Sequence, residues 1–206
     1  MNNKIMFGIG GVIIGIILVL LLSNTGGYQS MMYGNDFKSN NMMFGNRSAN
    51  MSLIDQHFIE QMIPHHDGAI AMANLALEKS KRPEIKTLAK AIVSAQESEN
   101  QQMKSWYRDW FGKDVSKGSA MTGGMMSQGG MHMGGTQDIK ALKNAPDFDK
   151  AFIEAMIPHH QLAIMMANML QSGTSRPEMQ GLAKNIIKSQ SKEIEQMQSW
   201  YKNWYK

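Results

Sequence analysis

Residues 55–74 read DQHFIEQMIPHHDGAIAMAN, and residues 149–168 read DKAFIEAMIPHHQLAIMMAN. The match continues without a gap from Asp55–Trp110 onto Asp149–Trp204 at a constant offset of 94 residues, His65 falling on His159, and about half the paired positions are identical. Within each copy, apolar residues recur at three- and four-residue spacing, the period of an amphipathic helix. Arg82-Pro83-Glu84 and Arg176-Pro177-Glu178 punctuate the pattern at matching points. Proline suits the first helical turn, and an acidic residue there complements the helix dipole. Each copy therefore reads as two helices of roughly 25–30 residues joined by a short turn. One such hairpin has little to bury its stripe against, whereas two hairpins packed antiparallel bury all four stripes. The expectation is an all-α fold, an antiparallel four-helix bundle built from two repeated helical hairpins. It forms one domain over 52–206, with repeat one at 52–112, a linker at 113–146 and repeat two at 147–206.

The faces of these helices carry more than hydrocarbon. At 100° per residue, Phe58, Ile59, Met62, His66, Ala69, Ile70, Ala73 and Leu77 share one stripe of the first helix. His65 and Met72 lie on its flank, Asp55 also projects onto it, and His57 points away. Pro64 removes a backbone hydrogen bond and is expected to kink or restart the helix. On the second helix, Gln96 and Glu99 interrupt a stripe of Leu88, Ala89, Ile92, Met103, Trp106 and Trp110. A buried carboxylate needs a partner or a cation, and the nearest candidate for Glu99 is the inward histidine of the neighbouring helix. Repeat two poses the same conflict: Met156, His160, Ala163, Ile164 and Ala167 face Gln190, Glu193, Met197, Trp200 and Trp204. Met, His and Glu converging inside a bundle mark the kind of place where such folds hold metals. The competing reading is a His–Glu pair that sets helix register, with methionine as core. Di-iron bundles place Glu three residues before the ligand histidine. Here Met62 and Met156 stand there instead, which moves preference from iron or manganese toward copper or silver.

The chain has 206 residues, 43% hydrophobic and 18% charged, enough for a packed core. With no cysteine, disulfides, thiolate zinc sites, iron–sulfur clusters and thiol catalysis are excluded. A net charge of +4 from scattered basic residues gives no nucleic-acid surface. No serine–histidine–acid set, phosphate loop or H-E-x-x-H motif is present, so the chain does not read as an enzyme. The 21 methionines are several times what a globular chain of this size carries, and they are not confined to helices. Residues 24–51 are rich in Gly, Asn and Ser and read as a flexible tether with methionines at 31, 32, 42, 43 and 51. The linker holds Met121, Met125, Met126, Met131, His132 and Met133 among glycines. Core filling explains methionine in helices but not in Gly-rich segments without an apolar period. Thioether ligation of soft ions such as Cu(I) explains both.

Residues 5–22 form an uncharged apolar run that reaches roughly 27 Å as a helix, close to the hydrocarbon thickness of a bilayer. The run exceeds the usual apolar region of a cleaved signal, and no small-x-small site follows it. Residues 1–23 are therefore expected to be a transmembrane anchor or a signal segment, an uncleaved anchor being favoured. Lys4 on the short side places the bundle outside the cytoplasm, in the periplasmic or extracytoplasmic space.

The blocks D-x-x-F-I-x-x-M-I-P-H-H, A-I-x-M-A-N and R-P-E…L-A-K…I…Q-x-x-E…Q-M-x-S-W-Y resemble the domain-of-unknown-function family 305, which includes CopM-like copper-binding proteins of the cell envelope. The resemblance covers roughly residues 50–206 and implies a ferritin-like bundle, a location beyond the cytoplasm, and copper handling. The site residues it implies are Met62, His65, His66, Met72 and Met103 in repeat one, with Met156, His159, His160, Met166 and Met197 in repeat two. The Met-Gly segment 121–135 resembles the stretch between the family's two halves. The copies depart from each other directly after the histidines, Asp67-Gly68 against Gln161-Leu162. The expectation is a membrane-tethered, extracytoplasmic protein that sequesters or delivers copper, Cu(I) in preference to Cu(II), to a recipient the sequence does not identify. Glu99 and Glu193 join the Met and His residues as candidate metal ligands, and the Met-rich segments act as added collectors. Two rivals are a metal-free envelope scaffold and a ferritin-like iron or manganese oxidase.

Overall fold

A computed structural model describes residues 41–116 and 136–205, with side chains from 53 to 116 and from 138 to 205. These residues form five helices and no strand: α1 Asn41–Lys79, α2 Pro83–Phe111, α3 Thr136–Lys143, α4 Phe148–Gly173 and α5 Pro177–Trp204. Both Arg-Pro-Glu triplets open helices, with Pro83 and Pro177 in the first turn and Glu84 and Glu178 behind them. The preceding turns use the same device twice. Ser80 Oγ accepts from the Arg82 amide at 3.1 Å, and Thr174 Oγ1 accepts from the Arg176 amide at 3.1 Å. α2 ends where Gly112 takes a left-handed φ of 67° and its amide bonds back to the Arg108 carbonyl, a conformation glycine adopts without penalty. Asp147 caps α4 by accepting from the Lys150 amide at 3.0 Å.

Three details depart from the sequence reading. α1 reaches back to Asn41, so the last part of the expected tether is helical; extending an already packed helix adds a hydrogen bond for each residue fixed. α3 stands within the expected linker and inserts Leu142 into the core, with Ile139 packed beside it. α1 and α4 run through Pro64 and Pro158 without a restart. The expected transmembrane span 5–22 and the linker ligands Met125, Met126, Met131, His132 and Met133 lie outside the described residues. Among the described residues no helix is long and apolar enough to cross a membrane.

The hairpins α1–α2 and α4–α5 meet along a seam where α1 packs on α4. Both repeats contribute to each of two hydrophobic cores. The first joins Phe58, Ile59 and Met62 of α1 and Met103 and Tyr107 of α2 to the C-terminal half of α4 and the N-terminal half of α5. The second joins Ala69–Ala76 of α1 and Ile85–Ile92 of α2 to Phe152, Ile153 and Met156 of α4 and Met197 of α5. Arg176 of repeat two reaches Asp55 of repeat one at 3.0 Å and covers the Trp110 ring at 4.2 Å. Arg82 does the reciprocal, 3.9 Å from Asp149 and 3.9 Å over Trp204. These two clamps tie each end of the bundle across the repeats.

Candidate metal centre

On all four long helices, the residues between the two cores include polar ones. His65 and His66 come from α1, Gln96, Glu99 and Asn100 from α2, His159 and His160 from α4, and Gln190 and Glu193 from α5. Proline precedes the histidines in both copies, so at this level the helix lacks one amide donor. His66 and His160 are completely buried. His66 Nε2 meets Glu99 Oε2 at 2.8 Å, and His160 Nε2 meets Glu193 Oε2 at 2.6 Å. This is the partner the sequence required for the two stripe carboxylates. A carboxylate accepts only, so in the neutral imidazole Nε2 carries the proton and Nδ1 presents a lone pair. Nδ1 of both rings is buried and has no protein partner. A carboxylate holding one histidine nitrogen while the other stays free is the arrangement that orients imidazole for a metal.

The second pair of histidines makes a contact that sequence reasoning did not contain. His65 and His159 face each other across the α1–α4 seam, ring centroids 3.8 Å apart and planes tilted by 42°. Each lies beside its chain neighbour, His65–His66 at 6.4 Å and His159–His160 at 6.3 Å. Neither ring of the central pair has a hydrogen-bonded nitrogen. Burial above all, then repulsion from neighbouring imidazoles, pushes His65 down to about 3. The same causes, in the same order, hold His159 far below the ordinary histidine range. Both rings are therefore neutral at physiological pH, the form that binds metals. The signal that would have revealed the pairing is the repeat itself: two copies meeting about a local two-fold bring equivalent residues together at the seam.

Each buried polar atom without a partner costs about 1–3 kcal/mol. Six imidazole nitrogens are in that state, joined by Gln96 Oε1, Gln190 Oε1 and Asn100 Oδ1. Among the described residues no group of three or more His, Asp or Glu forms a ready cage for one ion.

Sulfur borders the layer on both sides. Met62, Met103, Met156 and Met197 are fully buried, Met72 nearly so, and Met166 is half-buried. Met62 stands one helical turn before the first histidine pair and Met103 one turn after Glu99; Met156 and Met197 repeat this. The thioethers do not group by repeat. Met62 and Met103 share the first core with Met166 of repeat two, while Met156 and Met197 share the second with Met72 of repeat one. Beside the histidines the copies differ at a polar contact: Asn100 Nδ2 donates to Asp67 Oδ1 at 2.9 Å, and Ile194 and Gln161 replace the two in repeat two.

Residues 55–201 match the family described as Domain of unknown function (DUF305). The chain belongs to the DUF305 family. Among solved structures it resembles "CopM in the Cu(I)-bound form", at 48% identity and a TM-score of 0.64, over 74% of this chain and 98% of that one. It also resembles "CopM in the Cu(II)-bound form", at 51% identity and a TM-score of 0.65, over 73% of this chain and 97% of that one. A curated relative, "Uncharacterized protein L153" of Acanthamoeba polyphaga mimivirus, is 43% identical over 51 residues, which span 25% of this chain and about a third of the relative. The family and the helical fold expected from the paired M-I-P-H-H blocks are thereby established.

Proposed function

We propose that this DUF305 protein binds copper, Cu(I) in preference to Cu(II), in the buried layer between its two cores, and sequesters or delivers it from a membrane-tethered position outside the cytoplasm. One observation carries the reading: two neutral imidazoles, His65 and His159, meet across the α1–α4 seam at 3.8 Å between ring centroids, with every nitrogen unpartnered. His66 and His160 are positioned as further nitrogen donors by Glu99 and Glu193, and Met62, Met103, Met156 and Met197 supply the adjoining sulfur. Neutral imidazole and thioether suit Cu(I) and Ag(I), and CopM, about half identical over most of this chain, has been solved with Cu(I) and Cu(II) bound. Met72, Met166 and the linker residues Met125, Met126, Met131, His132 and Met133 extend the donor set. The apolar run 5–22 supports the tether and the orientation.

A metal-free scaffold is the second reading, and the His66–Glu99 and His160–Glu193 bonds favour it, because such pairs also fix helix register. Elemental analysis of the full chain, purified without chelator or affinity metal, separates the two. Copper recovered with the protein, and lost together with high-affinity Cu(I) binding in H65N/H159N, is the expected result. Undiminished stoichiometry and affinity in that variant would remove the bundle centre from the account. Recovery of the full chain in a salt-washed membrane fraction tests the tether, and recovery in the soluble fraction contradicts it.

A further inference from the structure

Apolar residues exposed singly are ordinary on a folded surface, whereas adjacent ones can mark a site; among the described residues four large ones are exposed, Leu53, Ile54, Met165 and Met169, and the last two are one helical turn apart. The two methionines lie on the outer face of α4, 43% and 67% exposed. Between them in sequence stands Met166, half-buried and packed against the first core, which contains Met62 and Met103. On a helix, Met169 is one turn from both Met165 and Met166, and all three fall within an arc of about 100°. Three thioethers thus share one turn, two open to solvent and one reaching inward. Repeat one has no counterpart, since Ala71 and Leu75 occupy the positions of Met165 and Met169. It is one of the places where the two copies differ in side-chain chemistry.

We infer that Met165, Met166 and Met169 form a separate surface site for a soft univalent ion, Cu(I) or Ag(I), through which the buried layer is loaded. The inference rests on the copper reading above and gives it an entry side. Three neutral sulfurs take a soft cation without releasing a proton, and they discriminate against Ca²⁺, Mg²⁺ and Zn²⁺, which prefer oxygen, nitrogen or thiolate. Met166 belongs to the face that packs on the core holding Met62 and Met103, so the sulfur series runs from solvent toward the polar layer on the repeat-two side alone.

The test is a titration of the full chain, labelled at methionine ε-methyl carbons, with Ag(I) as a redox-inert stand-in for Cu(I). It is run on the wild-type protein, M165L/M169L and H65N/H159N. Leucine keeps the apolar bulk at two exposed positions, so the fold is not at stake. Expected are shifts of the Met165, Met166 and Met169 methyls in the wild-type protein and in H65N/H159N, and loss of one bound equivalent with slower filling of the buried layer in M165L/M169L. If those three methyls stay in place while Met62 and Met103 respond, the surface site is refuted and the copper reading stands. If they respond while the imidazole layer binds nothing in any variant, the buried centre and the loading role both fail, and only ion capture at the surface is left. Equal stoichiometry and filling rate in M165L/M169L overturn the inference outright.

Discussion

His65 and His159 show what burial does to a single side chain. Each ring is kept neutral because charging it in the bundle centre is costly, and each is left with nitrogens that no protein group satisfies. A histidine whose folded value lies below its unfolded value of about 6.5 stabilises the fold fully above that pH. As pH falls, the unfolded chain takes up a proton that the folded chain refuses until near the folded value, about 3 for His65. Metal-free protein should therefore lose stability progressively as pH falls from roughly 6 to 4. Denaturant titrations across that range check this, and H65N/H159N should give a flatter profile; an unchanged slope would mean the rings are not held neutral. Glu99 and Glu193 act through other residues, and E99Q or E193Q keeps an acceptor for the imidazole while removing the charge. Each should lower copper affinity about 10–100-fold, as loss of an orienting carboxylate does, with helicity intact by circular dichroism. Much of this was legible beforehand, because a carboxylate in the middle of an apolar stripe demands a partner and the inward histidine was the available one. The His65–His159 contact was not legible from one helix at a time, since angular bookkeeping along α1 says nothing about where α4 crosses it.

At the level of the element, the long helices were readable where apolar period and proline punctuation agree, and less so where they do not. The start of α2 and α5 follows from Arg-Pro-Glu, and the structure places both there. α3 was hidden because eight residues hold only Ile139 and Leu142 for packing, too little for a pattern until the rest of the bundle provides a surface. The Arg–Asp–Trp clamps were hidden for another reason: each arginine serves the other repeat. Their geometry separates their contributions. Arg176 meets the almost completely buried Asp55 at 3.0 Å, whereas Arg82 lies 3.9 Å from Asp149. R176A should destabilise the protein more than R82A. The loss should fall short of the about 3–5 kcal/mol that follows stranding a fully buried charge, since Arg176 is itself partly exposed. Thermal denaturation of the two variants checks the order, and equal or reversed losses would show that ring stacking outweighs the ion pair.

For the molecule as a whole, each repeat packs as a hairpin but neither encloses a core of its own. Both cores, both clamps and the histidine layer take side chains from the two hairpins. Either hairpin alone should therefore be largely unfolded as a monomer, and a fragment ending at 116 should gain helix only by pairing with a second copy. Circular dichroism with sedimentation over a concentration series checks this, and a stably helical monomer would show that a hairpin carries its own core. The same interleaving explains why copper ligands sorted by repeat do not match the neighbourhoods in the fold, where Met166 joins Met62 and Met103, and Met72 joins Met156 and Met197. The centre itself is best probed through the side-chain nitrogens of ¹⁵N-histidine-labelled full-length protein as Ag(I) is added. Coordination in the layer predicts that the nitrogens of His65 and His159 move first among the six histidines, with His66 and His160 following. Ring nitrogens that stay unchanged at saturating Ag(I), while methionine methyls alone respond, would contradict it.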